Sequence, residues 1–287
     1  MNRRPSDRVG IVAGIDPTRE WHLPVAWAAD EAHRRRLPLS LVVAQPVRGD
    51  ARGSDGAHLP SSARHAAAQT LREAGEWAGL RHRGLVPVLE VADGSPAAVL
   101  GGMSREARMV VLGSRHLSRT EEYLSAGSVV VPVAAQATCP VVVVGDAEHV
   151  TQQPPYLVVG VDGSPHAQAA LAFAFEEAAL RGAALRAIAV WQAPVFALHD
   201  EETALRAQRA LLAEATAGWP GKYPDVRLTR EVPVGHPVEE LAAASEHALA
   251  AVVGRRGRGG YTGMRLGSVV HGMLHRAHCP VVIVPAD

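Results

Sequence analysis

The segment with the most chemical content is Val252-Val253-Gly254-Arg255-Arg256-Gly257-Arg258-Gly259-Gly260-Tyr261-Thr262-Gly263-Met264-Arg265-Leu266-Gly267-Ser268. It leaves a β-branched apolar run, passes through a series of glycines and ends where a helical pattern begins. Glycine lets the main chain approach a ligand closely and turn its amides inward. A helix opening at Gly267-Ser268, with Ser268 as its N-cap, adds orphan N–H groups and the positive end of a helix dipole. Together these features suit a polyphosphate or another anion, reinforced by Arg255, Arg256, Arg258 and Arg265. The plain alternative is an exposed loop whose arginines face water. A dinucleotide fingerprint is disfavoured, because Gly257-x-Gly259 meets Thr262 where GxGxxG needs its third Gly.

Such a loop needs elements to hold it. Short β-branched runs at 157–161, 185–191, 227–232, 250–253 and 281–284 alternate with helical patterns at 165–181, 201–218, 237–247 and 268–277. Ser164-Pro165 is a helix opening, Ser as N-cap and Pro at the first helical position. Apolar strands separated by helices imply βαβ crossovers and a parallel sheet covered on both faces. Sheets of this kind place ligands beyond the carboxyl ends of their strands, at the topological switch point, and the glycines cluster there.

The pattern occurs twice. Gly14-Ile15-Asp16 matches Gly160-Val161-Asp162, Leu112-Gly113-Ser114 matches Val253-Gly254-Arg255, and Thr138-Cys139-Pro140-Val141 matches His278-Cys279-Pro280-Val281. The offsets are 146, 141 and 140 residues, in one order, which indicates a duplicated domain rather than a solenoid. The polar stretch 145–155, ending in Pro154-Pro155, reads as the linker.

At this point a resemblance becomes specific. Gly254-x2-Gly257-x9-Gly267-Ser268 resembles the G-x2-G-x9-G-[ST] signature of the ATP-binding class of the universal stress protein family. Asp162 resembles that family's first-strand Asp, Gly235-His236-Pro237 its G-x-P, and Cys279-Pro280-Val281-Val282-Ile283-Val284 its final strand. The resemblance covers nearly the whole chain, twice. It implies an α/β fold of two tandem, doubly wound, parallel five-stranded sheets in strand order 3-2-1-4-5, adenine nucleotide alpha hydrolase-like, with domains at 1–145 and 156–287.

Carried over by position, the resemblance implies that Asp162 and the backbone around Gly160 and Val190 hold adenine and ribose. Val253, Gly254 and Gly257 let the backbone hug ribose and phosphates, and Arg258 neutralises phosphate charge. Gly267, Ser268 and Val269 supply amides and a hydroxyl, and Mg²⁺ is held mainly by phosphate oxygens. The implied function is an ATP-binding regulatory protein of the stress response, whose nucleotide occupancy modulates an unknown protein partner or assembly. A homodimer or self-association through the domain sheets goes with it, the two halves pairing at their final strands. No general base or nucleophile accompanies the cradle, yet a weak ATPase or phosphotransfer switch stays open, as does a structural dimer module with vestigial sites.

The first half departs from the signature. Asp16 persists, but Pro17-Thr18 replaces Gly163-Ser164. Gly113 and Gly127-Ser128 persist at a separation of 14 residues against 13 in the second half, with His116 at the second glycine position. Glu121-Glu122 would repel a triphosphate. The expectation is weak or absent ATP binding in 1–145; the competing reading is that the loop absorbs one extra residue and binding persists.

Composition excludes other classes. The 287 residues carry 29 basic and 29 acidic side chains, without the field of a dedicated nucleic-acid or anionic-membrane binder. No apolar run reaches 18 residues and no signal segment opens the chain, so neither a membrane span nor secretion is expected. Only two cysteines, Cys139 and Cys279, point to a reducing, cytoplasmic setting. The sole lysine, Lys222, lies outside any GxxxxGK[ST], and no GxSxG, SGGxDS or HIGH-type motif occurs. His271, His275, His278 and Cys279 lack the pattern of a metal site and read as helix-surface histidines beside a core cysteine, so no metal and no catalytic residue is expected.

Overall fold

The computed structural model describes residues 9–46, 61–114, 129–145, 149–193, 201–258 and 266–286, which fall into two compact units, 9–145 and 149–286. In the first unit the strands are β1 (Ile11–Gly14), β2 (Leu39–Gln45), β3 (Val88–Asp93), β4 (Met109–Ser114) and β5 (Val141–Gly145). Its helices are α1 (His22–Arg35), α2 (Ser61–Arg81), α3 (Pro96–Met103) and α4 (Val130–Gln136). The strands pair parallel in the order β3-β2-β1-β4-β5.

The second unit holds β6 (Tyr156–Gly160), α5 (Pro165–Arg181), β7 (Ala184–Ile188), α6 (Glu201–Ala215), α7 (Trp219–Lys222), β8 (Leu228–Glu231), α8 (Pro237–Ala244), β9 (Ala251–Gly254), α9 (Ser268–Arg276) and β10 (Val281–Val284). Its strands are also parallel, in the order β8-β7-β6-β9-β10. Each unit therefore has the 3-2-1-4-5 order. The direction in which successive strands are added reverses between the first and fourth strands, β6 and β9 in the second unit, and a ligand crevice belongs there.

The central strands of both sheets are buried as continuous apolar runs, whereas β3 and β8 are largely exposed. Val141–Val144 and Val281–Val284 are buried throughout, as are Leu157, Val158, Val159, Val252 and Val253. The duplication extends to charges. Glu31 in α1 and Glu177 in α5 are almost fully buried, each bonded to an arginine one turn on, Arg35 and Arg181. A buried carboxylate needs such a partner, because desolvation alone strongly disfavours its charged form.

Helix α5 follows from its ends. Ser164 accepts the Ala167 amide at 3.1 Å, Pro165 takes the first helical position, and Gly182 closes the helix in the left-handed region at φ 60. The equivalent C-cap of α1 is Arg36 at φ 54, a conformation that costs a residue with a Cβ about 1–2 kcal/mol.

Several boundaries differ from the sequence reading. Strand β7 stops at Ile188 rather than 191; Val190 lies beyond it, and Trp191 makes an isolated bridge to Val234. Helix α8 ends at Ala244 because the Ser245 hydroxyl bonds back to the Ala242 carbonyl and a turn follows. The N-cap of α9 is Gly267, not Ser268: Gly267 has extended φ/ψ of −73 and 153, and no side chain caps the helix.

Candidate functional site

The crevice of the second unit begins where β6 ends. Asp162 folds back on its own loop, Oδ1 accepting the Ser164 amide at 2.9 Å, while Oδ2 accepts the Arg258 amide at 2.9 Å. The Ser164 hydroxyl donates to the Arg256 carbonyl at 3.4 Å. The loop after β6 is thereby fastened to the loop after β9. Gly163 lies between them at φ 77, and a Cβ there would stand 2.6 Å from a guanidinium nitrogen of Arg258. Gly257 faces the Asp162 carboxylate so closely that a Cβ would fall 2.6 Å from Oδ2.

The far side of the crevice is the start of α9. Gly267 lies against the Arg255–Gly257 backbone, and its amide donates to the Arg255 carbonyl at 2.9 Å. The Gly267 amide is thus committed to the loop, which corrects its reading as a ligand donor. The amides of Ser268 and Val269 have no acceptor among the described residues, as expected of the first turn of a helix. Ser268 is exposed, and with Val269 it opens α9 beside Gly257.

Other predicted residues have structural duties of their own. Gly254 packs on the first turn of α5: a Cβ there would stand 2.6 Å from the His166 carbonyl carbon and 2.7 Å from its oxygen. The close approach that its glycine implies is therefore made to protein backbone. Gly160 faces Leu241 of α8, Val253 is buried, and the Val190 carbonyl accepts Gln208 Nε2 at 3.3 Å. That carbonyl keeps a second lone pair. Arg258 and Arg256 are exposed, whereas Arg255 is half-buried and its guanidinium is pushed below the usual arginine range, first by burial and then by Arg256.

One residue escaped the sequence reading. His166, in the first turn of α5, accepts the Ala286 amide on Nδ1 at 2.8 Å. Burial holds its imidazole below the ordinary range, Arg255 and Arg256 add to this, and Asp162 opposes it. No motif marks this histidine; its only signal is its place in the first turn of the helix that follows the first strand.

The corresponding corner of the first unit is built differently. Asp16 Oδ1 accepts the Thr18 amide at 3.0 Å and the Thr18 hydroxyl at 2.6 Å, and Oδ2 pairs with Arg19 Nε at 2.8 Å. Its carboxylate is satisfied within four residues of chain. Gly113, next to last in β4, lies beside Pro24. His116, Glu121, Glu122, Gly127 and Ser128 lie outside the described residues, as do Gly259, Gly260 and Arg265 of the second loop. Among the described residues, no cluster of three or more His, Cys, Asp or Glu is arranged to hold a metal ion, and no helix is long and apolar enough to cross a membrane. Cys279 is buried at the entrance to β10.

A sequence model of the universal stress protein family matches the chain twice, over residues 10–145 and 156–285. The chain belongs to the universal stress protein family. A universal stress protein of Mycolicibacterium smegmatis is 37% identical over 289 residues, covering 96% of both chains, and one of Mycobacterium tuberculosis is 34% identical over 293 residues, covering 98% of both. Among solved structures, a universal stress protein from Archaeoglobus fulgidus superposes with a TM-score of 0.72 at 18% identity, covering 97% of this chain and 96% of that one. This last likeness concerns the fold. The two universal stress protein units of the chain thus share one architecture while differing at the corner where the first strand meets the following helix.

Proposed function

We propose that this chain is an ATP-binding regulatory protein of the stress response, with its nucleotide site in the second of two domains, 156–287, and a degenerate counterpart in 1–145. The observation that carries this reading is the Asp162–Arg258 bond, which joins the loops after β6 and β9 into one cradle facing the free amides of α9. Asp162 and the main chain at Gly160 and Val190 border the nucleoside. Gly254 and Val253 shape the floor, and Gly257, Ser268 and Val269 face the phosphates with Arg258 as their counter-charge.

The residues present fit such a ligand. Two first-turn amides have no acceptor among the described residues, and Gly257, without a Cβ, lets the loop after β9 close on Asp162 beside them. The cradle's one carboxylate already accepts two amides, so Mg²⁺ belongs on the phosphate oxygens, where it would offset their charge. In the first domain the pairing of Asp16 with Arg19 supports loss of binding.

Nucleotide occupancy changes the glycine loop that a partner protein, or a second copy of the chain in a homodimer, reads. The balanced charge and two reduced cysteines support action in the cytoplasm, without nucleic acid or membrane. The test is to denature the purified protein and identify the released nucleotide by chromatography. ATP or ADP is expected; an empty protein with no affinity below millimolar, with or without Mg²⁺, overturns the reading. Rapid single-turnover hydrolysis lost in Asp162→Ala would replace regulation with catalysis.

A further inference from the structure

His166 belongs to no signature, yet two contacts at the crevice meet on it. Its Nδ1 accepts the Ala286 amide at 2.8 Å, so that nitrogen carries a lone pair and the proton resides on Nε2. Two residues earlier, at the end of β10, the Val284 carbonyl accepts the Arg255 amide at 2.8 Å, which extends the pairing of β9 with β10 by one bond into the glycine loop. The His166 backbone itself presses on Gly254, where a Cβ has no room. The tail after β10, the loop after β9 and the first turn of α5 are therefore one bonded unit.

We propose that His166 is a positioning residue for the glycine loop: its unprotonated Nδ1 holds Ala286 just beyond the end of β10 that pairs with Arg255, its backbone packs on Gly254, and protonation of the ring releases Ala286, places a third cation beside Arg255 and Arg256, and weakens nucleotide binding. The affinity arm of this inference rests on the nucleotide site proposed above; the structural arm does not.

The charges around the ring set its response. Arg255 and Arg256 face it from the glycine loop, Asp162 faces it from the loop after β6, and the ring lies in the first turn of α5, at the positive end of that helix. From the tail it meets the Ala286 amide; Asp287 lies outside the described residues. A protonated imidazole has two donors and no acceptor, so it cannot keep the Ala286 bond. It would also stand as a third cation beside two arginines.

The test uses the full chain. Two-bond proton–nitrogen correlation of the His166 ring, with exchange of the Ala286 amide, should show an unprotonated Nδ1 near neutrality and loss of amide protection as the ring titrates below the ordinary imidazole range. ATP affinity, measured in parallel, should fall about fivefold from about pH 7.5 to about pH 5, the weight of one hydrogen bond. His166→Asn keeps an acceptor but does not titrate, so its affinity should match the wild type near neutrality and stay level on acidification. His166→Ala should show the weaker affinity throughout.

A ring already protonated on Nδ1 at neutral pH, or an Ala286 amide whose protection ignores the ring, overturns the proposal without any reference to nucleotide. An affinity that rises on acidification makes His166 a direct cationic contact and overturns its positioning role. If no nucleotide binds at any pH while the ring and amide titrate together, the proposed function fails and the tail attachment stands.

Discussion

Asp162 and Arg258, 96 residues apart, are joined by a bond of 2.9 Å between a carboxylate oxygen and a main-chain amide. The bond needs Gly257, whose hydrogen faces that same oxygen. Gly257→Ala should therefore push the two loops apart. The expected cost is about 1 kcal/mol in stability for the lost bond, and roughly tenfold in ATP affinity, about 1.4 kcal/mol, for the opened cradle. Calorimetry and urea unfolding on one preparation check both; unchanged affinity would show that the loop junction is irrelevant to the ligand.

Gly254 makes the opposite case, since its neighbour is rigid. A Cβ 2.6 Å from the His166 carbonyl carbon meets helix backbone, which cannot swing aside as a side chain does. Gly254→Ala should destabilise the second unit by about 1–3 kcal/mol, the range for overpacking, with or without nucleotide. A urea midpoint equal to that of the wild type would contradict this account.

Arg36 and Gly182 occupy equivalent left-handed caps at φ 54 and φ 60, but only one of them is glycine. Arg36→Gly should stabilise the first unit by about 1 kcal/mol, and Gly182→Ala should destabilise the second by a similar amount. Thermal unfolding should show the two shifts in opposite directions.

How much of this was legible in the sequence depends on how local the signal is. Helix α5 can be read from Ser164, Pro165 and Gly182 because cap, first position and stop all act within one turn. The repeat is legible because the same strand ends recur at Gly14 and Gly160. The N-cap of α9 was misplaced by one residue, since Ser268 looks like a cap and Gly267 serves as one through backbone conformation alone. Gly254 was read as making room for a ligand, whereas it makes room for His166; both demand a residue without Cβ, and only the packing of α5 on β9 tells them apart. The His166–Ala286 bond was illegible, because it arises only when the exit of β10 meets a helix 120 residues away in sequence.

The thiols give a separate check on the packing of both units. Cys139 and Cys279 are buried thiols, and burial pushes the Cys279 thiol up to about 11. Since the folded-state value is raised, its contribution to stability is complete below the unfolded thiol range of about 8.5 and is lost as pH rises through about 11. A thiol reagent at about pH 8 should find neither cysteine in the native protein and both after denaturation. Fast native labelling of Cys279 would contradict the burial of β10.

Of the two homologous corners only the second is proposed to keep a nucleotide cradle, and binding stoichiometry separates one site from two. Calorimetric titration of the full chain with Mg-ATP should give one site per chain, abolished by Asp162→Ala and untouched by Asp16→Ala. Two equivalent sites, or a single site lost with Asp16 rather than Asp162, would contradict the account.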